Sequence, residues 1–293
     1  MNILNALFQG IIQGLTEFLP VSSSGHLSLI QYFTGQGGET GALFSILLHL
    51  GTLIAVFLAF HKTILRLIYE FFCMVGDIFK GKFQLSHLTP YRRMIVLLII
   101  SLLPLAVTFV FKDWLQGFSS DNSILAEGIC FLITGVLLTL ADRFPKGRKT
   151  PKTMTYGDAL AIGAAQAIAP LPGISRSGST IATGLMMGLA RQYAVTFSFI
   201  MGMPAVLGGA ILEIKDAAEA GVSLPFSVMA VGMLSAAVFG LIAIKMVNWL
   251  VKSDKFKIFA YYTLALGTLV TAAGIYEMFT DHALQKIVLT WLQ

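Results

Sequence analysis

Charge is what this sequence has least of. Only 12% of its 293 residues are Asp, Glu, Lys or Arg, about half the roughly 25% of a soluble domain, which excludes an ordinary water-soluble globule. Cysteine is nearly missing as well. Cys73 and Cys130 both sit among apolar neighbours, which argues against a disulfide framework or a thiolate metal cluster and leaves packing as their role. No Lys or Arg precedes Lys62, so the N-terminus lacks the basic region of a cleavable signal peptide, and none is expected. The net charge of +5 does not indicate nucleic acid, because the basic residues gather in a few loops, as membrane topology signals do.

What fills the chain is hydrocarbon: 56% of residues are hydrophobic and the mean hydropathy is +0.79. Runs at 41–60, 94–111, 124–141, 196–214, 224–244 and 258–279 meet the roughly 20-residue length of a membrane-crossing helix. An all-α polytopic membrane bundle with six spanning helices follows. Basic residues concentrate at Lys62 to Arg93, Arg143 to Lys152 and Lys245 to Lys257, which assigns those loops to the cytoplasm. The loops Lys112 to Asn122 and Lys215 to Pro225, with Asp113, Asp121, Asp216 and Glu219, fit the outside. Residues 63–90, basic and aromatic, read as an interfacial or short tilted helix on the cytoplasmic side. The stretch 281–293 reads as an amphipathic tail at the outer surface.

Two segments, 2–34 and 156–190, must then begin and end on one side each. Both are broken near the middle by Pro and Ser, and the piece after each break has about 12 residues, a rise of ~18 Å against a hydrocarbon core of ~30 Å. They are therefore expected to be re-entrant helical hairpins, one from each face, touching near the midplane, where irregular backbone survives only inside protein or along a wet cavity. Sliding the chain by 153 residues places Gln13 on Gln166, Ser22 on Ser175, Ser24-Gly25 on Ser177-Gly178 and Phe44-Ser45 on Phe197-Ser198. With the opposed orientations, this predicts an inverted-topology repeat: a first half 1–143, a basic cytoplasmic linker 144–155, a second half 156–280, and the tail.

The breaks also hold the chemistry. Gln13 and Glu17 share a helix face, and a serine after each break is placed to cap the following half-helix, leaving free N–H groups that attract phosphate. Arg176 adds a planar fork suited to phosphate oxygens. With the hydroxyls of Ser22, Ser23, Ser24, Ser175 and Ser177, the two breaks describe one receptor for a strongly charged phosphate. Glu17 would repel that ligand unless a divalent cation bridges them, with Gln13 as a neutral co-ligand; a hard ion such as Mg²⁺ or Ca²⁺ suits these oxygens. His26, in the first turn of the second half-helix, is a proton-transfer or nucleophile candidate, and Ser22 to Ser24 are hydroxyl nucleophiles. Ser, His and water all stand as candidates for the attacking group. The plainer alternatives are a packing kink at each break and a structural Glu17–Arg176 ion pair. His49 reads as a hydrogen-bonded core histidine, His61, His87 and His282 as surface groups, and Glu127 and Glu213 as partly solvated boundary residues.

The pair of segments Gly14-Leu-Thr-Glu-Phe-Leu-Pro-Val-Ser-Ser-Ser-Gly-His26 and Pro172-Gly-Ile-Ser-Arg-Ser-Gly-Ser-Thr-Ile181 resembles the two signature motifs of the bacterial undecaprenyl pyrophosphate phosphatases, the bacitracin-resistance family. The resemblance covers essentially the whole chain. It implies a multi-pass enzyme of the bacterial plasma (inner) membrane, its site open to the outer face, that converts undecaprenyl diphosphate to undecaprenyl phosphate and inorganic phosphate using Mg²⁺ or Ca²⁺. That would recycle the lipid carrier for peptidoglycan and other wall polymers, and bacitracin would compete for the substrate. Carried over by residue, Glu17 takes a metal or acid–base role, Ser22, Ser23 and His26 form the reacting cluster, and Ser175, Arg176 and Thr180 clamp phosphate. Gln13 departs from the commonest motif, which has a glutamate there, and this weakens any mechanism needing two carboxylates. A homodimer is one assembly left open. The rival reading is a translocase of a phosphate-bearing polyprenyl lipid, since broken helices in inverted repeats also build transporters; adjacent Ser and His favour hydrolysis.

Overall fold

The computed structural model describes residues 2–35, 38–85, 88–110, 123–219, 221, 224–253 and 255–292. The expectations for His87, Lys112, Asp113 and Asp121 lie outside them, as do those for the side chains of Glu213 and Asp216. Nearly everything described is helix: α1 (Ile3–Phe18), α2 (Ser23–Thr34), α3 (Gly38–Phe79), α4 (Pro90–Leu102), α5 (Ala106–Val110), α6 (Leu125–Asp142), α7 (Tyr156–Ala167), α8 (Arg176–Met186), α9 (Arg191–Glu219), α10 (Phe226–Lys252), α11 (Lys257–Thr280) and α12 (Ala283–Leu292). Among the described residues the one β feature is an isolated bridge between Lys149 and Leu189. Six helices are long and apolar enough to cross a membrane, at Thr40–Phe79, Pro90–Thr108, Leu125–Asp142, Arg191–Leu212, Phe226–Lys252 and Lys257–Thr280. They coincide with the six apolar runs of the sequence, and large side chains such as Leu4, Phe72, Phe226 and Leu269 cover the outside of the bundle.

Local chemistry sets the helix boundaries. Thr155 and Asp158 close a reciprocal capping box at the start of α7, satisfying two otherwise orphaned donors. Thr89 caps α4, with Pro90 in its first turn, where a missing N–H costs nothing. Pro104 then turns the end of α4 into a 3₁₀ segment, Leu103–Leu105.

Close backbone approach through small residues joins the helices. A Cβ at Gly14 would stand 2.6 Å from the Ala236 carbonyl, and one at Gly128 would stand 2.5 Å from the Thr271 nitrogen. These contacts lock α1 onto α10 and α6 onto α11, the packing that apolar solvent favours. Phe18 and Phe199 meet edge to face at 5.2 Å in the interior.

A kink at Phe60 (φ −118, ψ 18) divides α3 into two helices, and the second, ending at Phe79, covers most of the stretch 63–90 read as an interfacial or short tilted helix. Two expectations change. Glu127 is no half-solvated boundary group: it is 2% exposed and accepts a 2.6 Å hydrogen bond from Ser28. His282 is not an idle surface residue. Its Nδ1 lies 2.8 Å from the Tyr32 hydroxyl, which donates to buried Glu277 at 2.8 Å, and Glu277 also accepts from the backbone N–H of Gln285. That network fastens α12 to the far end of α2.

Candidate active site

The two broken segments are each a pair of short helices. α1 and α2 have 16 and 12 residues, α7 and α8 have 12 and 11, or about 24, 18, 18 and 17 Å of helix. Each break ends in a serine N-cap. Ser22 Oγ accepts from Gly25 N–H at 3.3 Å, and Ser175 Oγ accepts from Gly178 N–H at 2.9 Å. The capping hydroxyls lie 3.3 Å from those of Ser24 and Ser177 respectively. The 153-residue offset thus recurs in hydrogen bonding, with one difference. Ser175 has ordinary extended backbone (φ −77), whereas Ser22 is held at φ 69, a conformation that costs a non-glycine residue on the order of 1–3 kcal/mol.

The breaks touch. Ser22 Oγ donates to the Ile174 carbonyl at 3.3 Å and Ser177 Oγ to the Leu19 carbonyl at 3.2 Å. A methyl at Gly25 would come within 2.8 Å of Gly173 Cα, so both positions need glycine for the loops to meet; Gly173 also sits at φ +96. Thr134 of α6 steadies the second break, donating to the Gly173 carbonyl at 3.0 Å and accepting from Ser175 N–H at 3.1 Å.

At the junction lies Glu17, 7% exposed. Its Oε1 accepts from Arg176. Its Oε2 accepts from Gln13 Nε2 at 2.8 Å and from Ser23 Oγ at 2.6 Å. Ser23 and Arg176 are separated by the same 153-residue offset, so one carboxylate is grasped from both broken segments. His49 Nε2 approaches the same Oε2 at 3.5 Å, its Nδ1 tied to the Ser45 carbonyl at 2.8 Å. Sequence reasoning set His49 aside as a core residue. Its only signal was the position facing Gly202 under the offset, next to the matched Phe44-Ser45 and Phe197-Ser198.

His26 takes another direction. Its Nδ1 is 2.6 Å from the Ser22 carbonyl, which fixes the proton on Nδ1 and leaves Nε2 as the available nitrogen. Nε2 lies 2.7 Å from the Tyr262 hydroxyl, the two rings stack at 5.8 Å, and Phe131 meets His26 edge-on. Tyr262, on α11, had no signal in the sequence. Thr180 bonds to Ser198 at 2.6 Å and lies beneath the Arg176 turn, not beside Glu17.

The oxygens suit a divalent cation in one way only. Glu17 already receives hydrogen bonds from three residues, one of them a guanidinium, and among the described residues no group of three or more His, Cys, Asp and Glu could hold a metal ion. A resident ion caged wholly by protein does not fit. Gln13 Oε1, however, is buried without a hydrogen-bond partner, and Glu17 with this one orphaned oxygen suits an ion that draws its other ligands from phosphate and water, as Mg²⁺ commonly does.

Comparison with known proteins matches residues 6–269 to the family described as bacitracin resistance protein BacA. An undecaprenyl-diphosphatase of Methanosphaera stadtmanae is 39% identical over 280 residues, covering 94% of this chain and 99% of the relative. Those of Alkaliphilus metalliredigens (38% over 272 residues, 92% and 98%) and Bacillus cereus (undecaprenyl-diphosphatase 4; 38% over 281 residues, 95% and 100%) are similar over comparable lengths.

Proposed function

The chain belongs to the bacitracin resistance protein BacA family, and from that premise we propose that it hydrolyses undecaprenyl diphosphate to undecaprenyl phosphate and inorganic phosphate within the membrane. The observation that carries the site assignment is the Glu17–Arg176 pair, which joins motifs 159 residues apart. Phosphate is received by the start of α8, whose unpaired N–H groups favour anions, and by the Arg176 fork. Ser175 and Ser177 line that helix start, Thr180 supports its first turn, and Ser24 borders the facing cap. His26 holds its Nδ1 proton on the Ser22 carbonyl and uses Nε2 to take or give a proton at the reacting oxygen. Ser22 and Ser23 supply the neighbouring hydroxyls, with Ser23 also orienting Glu17. A cation held by Glu17 and Gln13 would neutralise developing phosphate charge.

The two broken segments are read as re-entrant hairpins of an inverted repeat, with the site facing the outer surface of the plasma membrane. There, loss of the diphosphate would deprive bacitracin of its target. The test is phosphate release by purified protein in detergent, with Mg²⁺ or Ca²⁺, with chelator, and with Arg176→Ala and His26→Ala alongside. Cation-dependent release that collapses in both folded variants supports the reading. No release from folded wild type in any condition sinks it and turns attention to lipid translocation in vesicles.

A further inference from the structure

Among the described residues the one hydrogen-bond partner of His26 Nε2 is the hydroxyl of Tyr262, 2.7 Å away and 236 residues along the chain. It comes from α11, outside both broken segments. Nε2 is also the nitrogen that remains for the substrate, since Nδ1 is committed to the Ser22 carbonyl. An imidazole nitrogen makes one hydrogen bond, in the plane of its ring. A phosphate oxygen brought within bonding distance of Nε2 must therefore come to the place that the phenol now holds, and one of the groups has to give way.

The surroundings decide which. The imidazole is held on two further sides, by the Ser22 carbonyl at 2.6 Å from Nδ1 and by fully buried Phe131, whose ring meets it edge-on at 5.3 Å. The backbone of α11 is held as well. A Cβ at Gly135 of α6 would stand 2.6 Å from Leu264 Cγ and 2.9 Å from Thr263 Oγ1, so the two residues after Tyr262 are pressed against α6. Tyr262 itself is 46% exposed, and among the described residues its hydroxyl has no hydrogen bond besides the one to Nε2. The phenol is thus the group with room to turn. Tethered to a fixed backbone, it stays beside the oxygen that displaces it. A neutral O–H suits that oxygen, because hydrogen bonds to a charged acceptor are roughly twice as strong as neutral ones.

We propose that Tyr262 contacts the substrate: its hydroxyl leaves His26 Nε2 and donates to an oxygen of the diphosphate, while the vacated nitrogen meets the reacting oxygen. This deepens the function proposed above and rests on it.

The test is a double-mutant cycle on the Kd of a non-hydrolysable methylene-diphosphonate analogue of a polyprenyl diphosphate, with phosphate release and thermal unfolding measured in parallel. Tyr262→Phe keeps the ring and removes only the hydroxyl, and it is expected to weaken binding about tenfold. A His26→Ala background separates contact from orientation. There the phenol has no imidazole to give up, so Tyr262→Phe should weaken binding by as much or more. A loss below about twofold in that background would mean that Tyr262 only orients His26, and the proposal would fall. Unchanged Kd in the single variant overturns it too. Tyr261→Phe, one residue away and 64% exposed, is the control and is expected to bind as wild type does. Should Tyr262→Phe fail to fold, Tyr262→Met, which also lacks a hydroxyl, carries the same cycle. Wild type that binds the analogue but releases no phosphate would count against the functional reading instead, and the two failures are distinguishable.

Discussion

Adding one methyl at Gly25 tests whether contact between the breaks is what assembles the site. The new Cβ would meet Phe131 Cζ at 2.6 Å, Gly173 Cα at 2.8 Å and Gly173 N at 2.9 Å, where carbon–carbon contacts are comfortable at about 3.5–4.0 Å. Phe131 is fully buried and Gly173 is backbone, so neither has a free end to swing aside. The loops must part by about 0.7 Å or more to restore contact distance, and overpacking of this kind costs about 1–3 kcal/mol. Glu17 lies on one side of that seam and Arg176 on the other, and a 1 Å misplacement can cost about 10²-fold in rate. Gly25→Ala should therefore lower phosphate release by about 100-fold while the protein still unfolds cooperatively, at a reduced Tm. Gly76→Ala is the control: nothing lies within 4 Å of its Cβ, and in a helix the change is neutral or stabilising by up to about 1 kcal/mol. Gly25→Ala protein with activity within about threefold of wild type would refute the reasoning that loop contact sets the catalytic geometry.

Other consequences can be checked on the same preparation. Ser22→Gly relieves the φ of 69 that Ser22→Ala retains, so thermal unfolding should rank the Gly variant about 0.5–1 kcal/mol more stable, with both losing phosphatase activity. At the start of α7, burial pushes the Asp158 carboxyl up, but hydrogen bonds from Lys149 and the Thr155 cap more than offset this and leave it below the ordinary 3.8. Its contribution is present above pH 3.8 and is lost as the pH falls through the lowered native value. Lys149→Met should cost on the order of 2 kcal/mol at pH 7 and flatten the acid limb of the stability profile, read by denaturation between pH 2 and pH 5 (about the titration window).

The six spanning helices were legible because hydrocarbon demands long apolar runs, and no other class of structure supplies them in this number. The serine caps were legible too, since Ser22 and Ser175 follow a proline or glycine break and precede short helices. The kink at Phe60 itself was not, since a bend without Pro or Gly leaves no mark in composition, although the charges after Lys62 suggested the separate helix that follows it. Glu17 and Arg176 could be paired from the sequence because each is a charge without a membrane edge to go to. His49 could not, since a histidine inside an apolar helix looks the same whether it faces packing or a carboxylate. Tyr262 and Glu127 were hidden for a similar reason: what they touch lies more than 95 residues away along the chain.

The crossed hydrogen bonds between the breaks, from Ser22 to Ile174 and from Ser177 to Leu19, also bear on how the protein is made. Each loop relies on the other to satisfy its buried polar groups, and the partners are separated by 152 and 158 residues. During synthesis the first broken segment therefore lacks its partner while more than half of the chain is still to come. Spanning helices can insert one by one, but closure of the two loops has to wait until α8 has emerged. Reactivity is thus withheld from every nascent fragment and appears in a single late step, when the second loop docks onto the first.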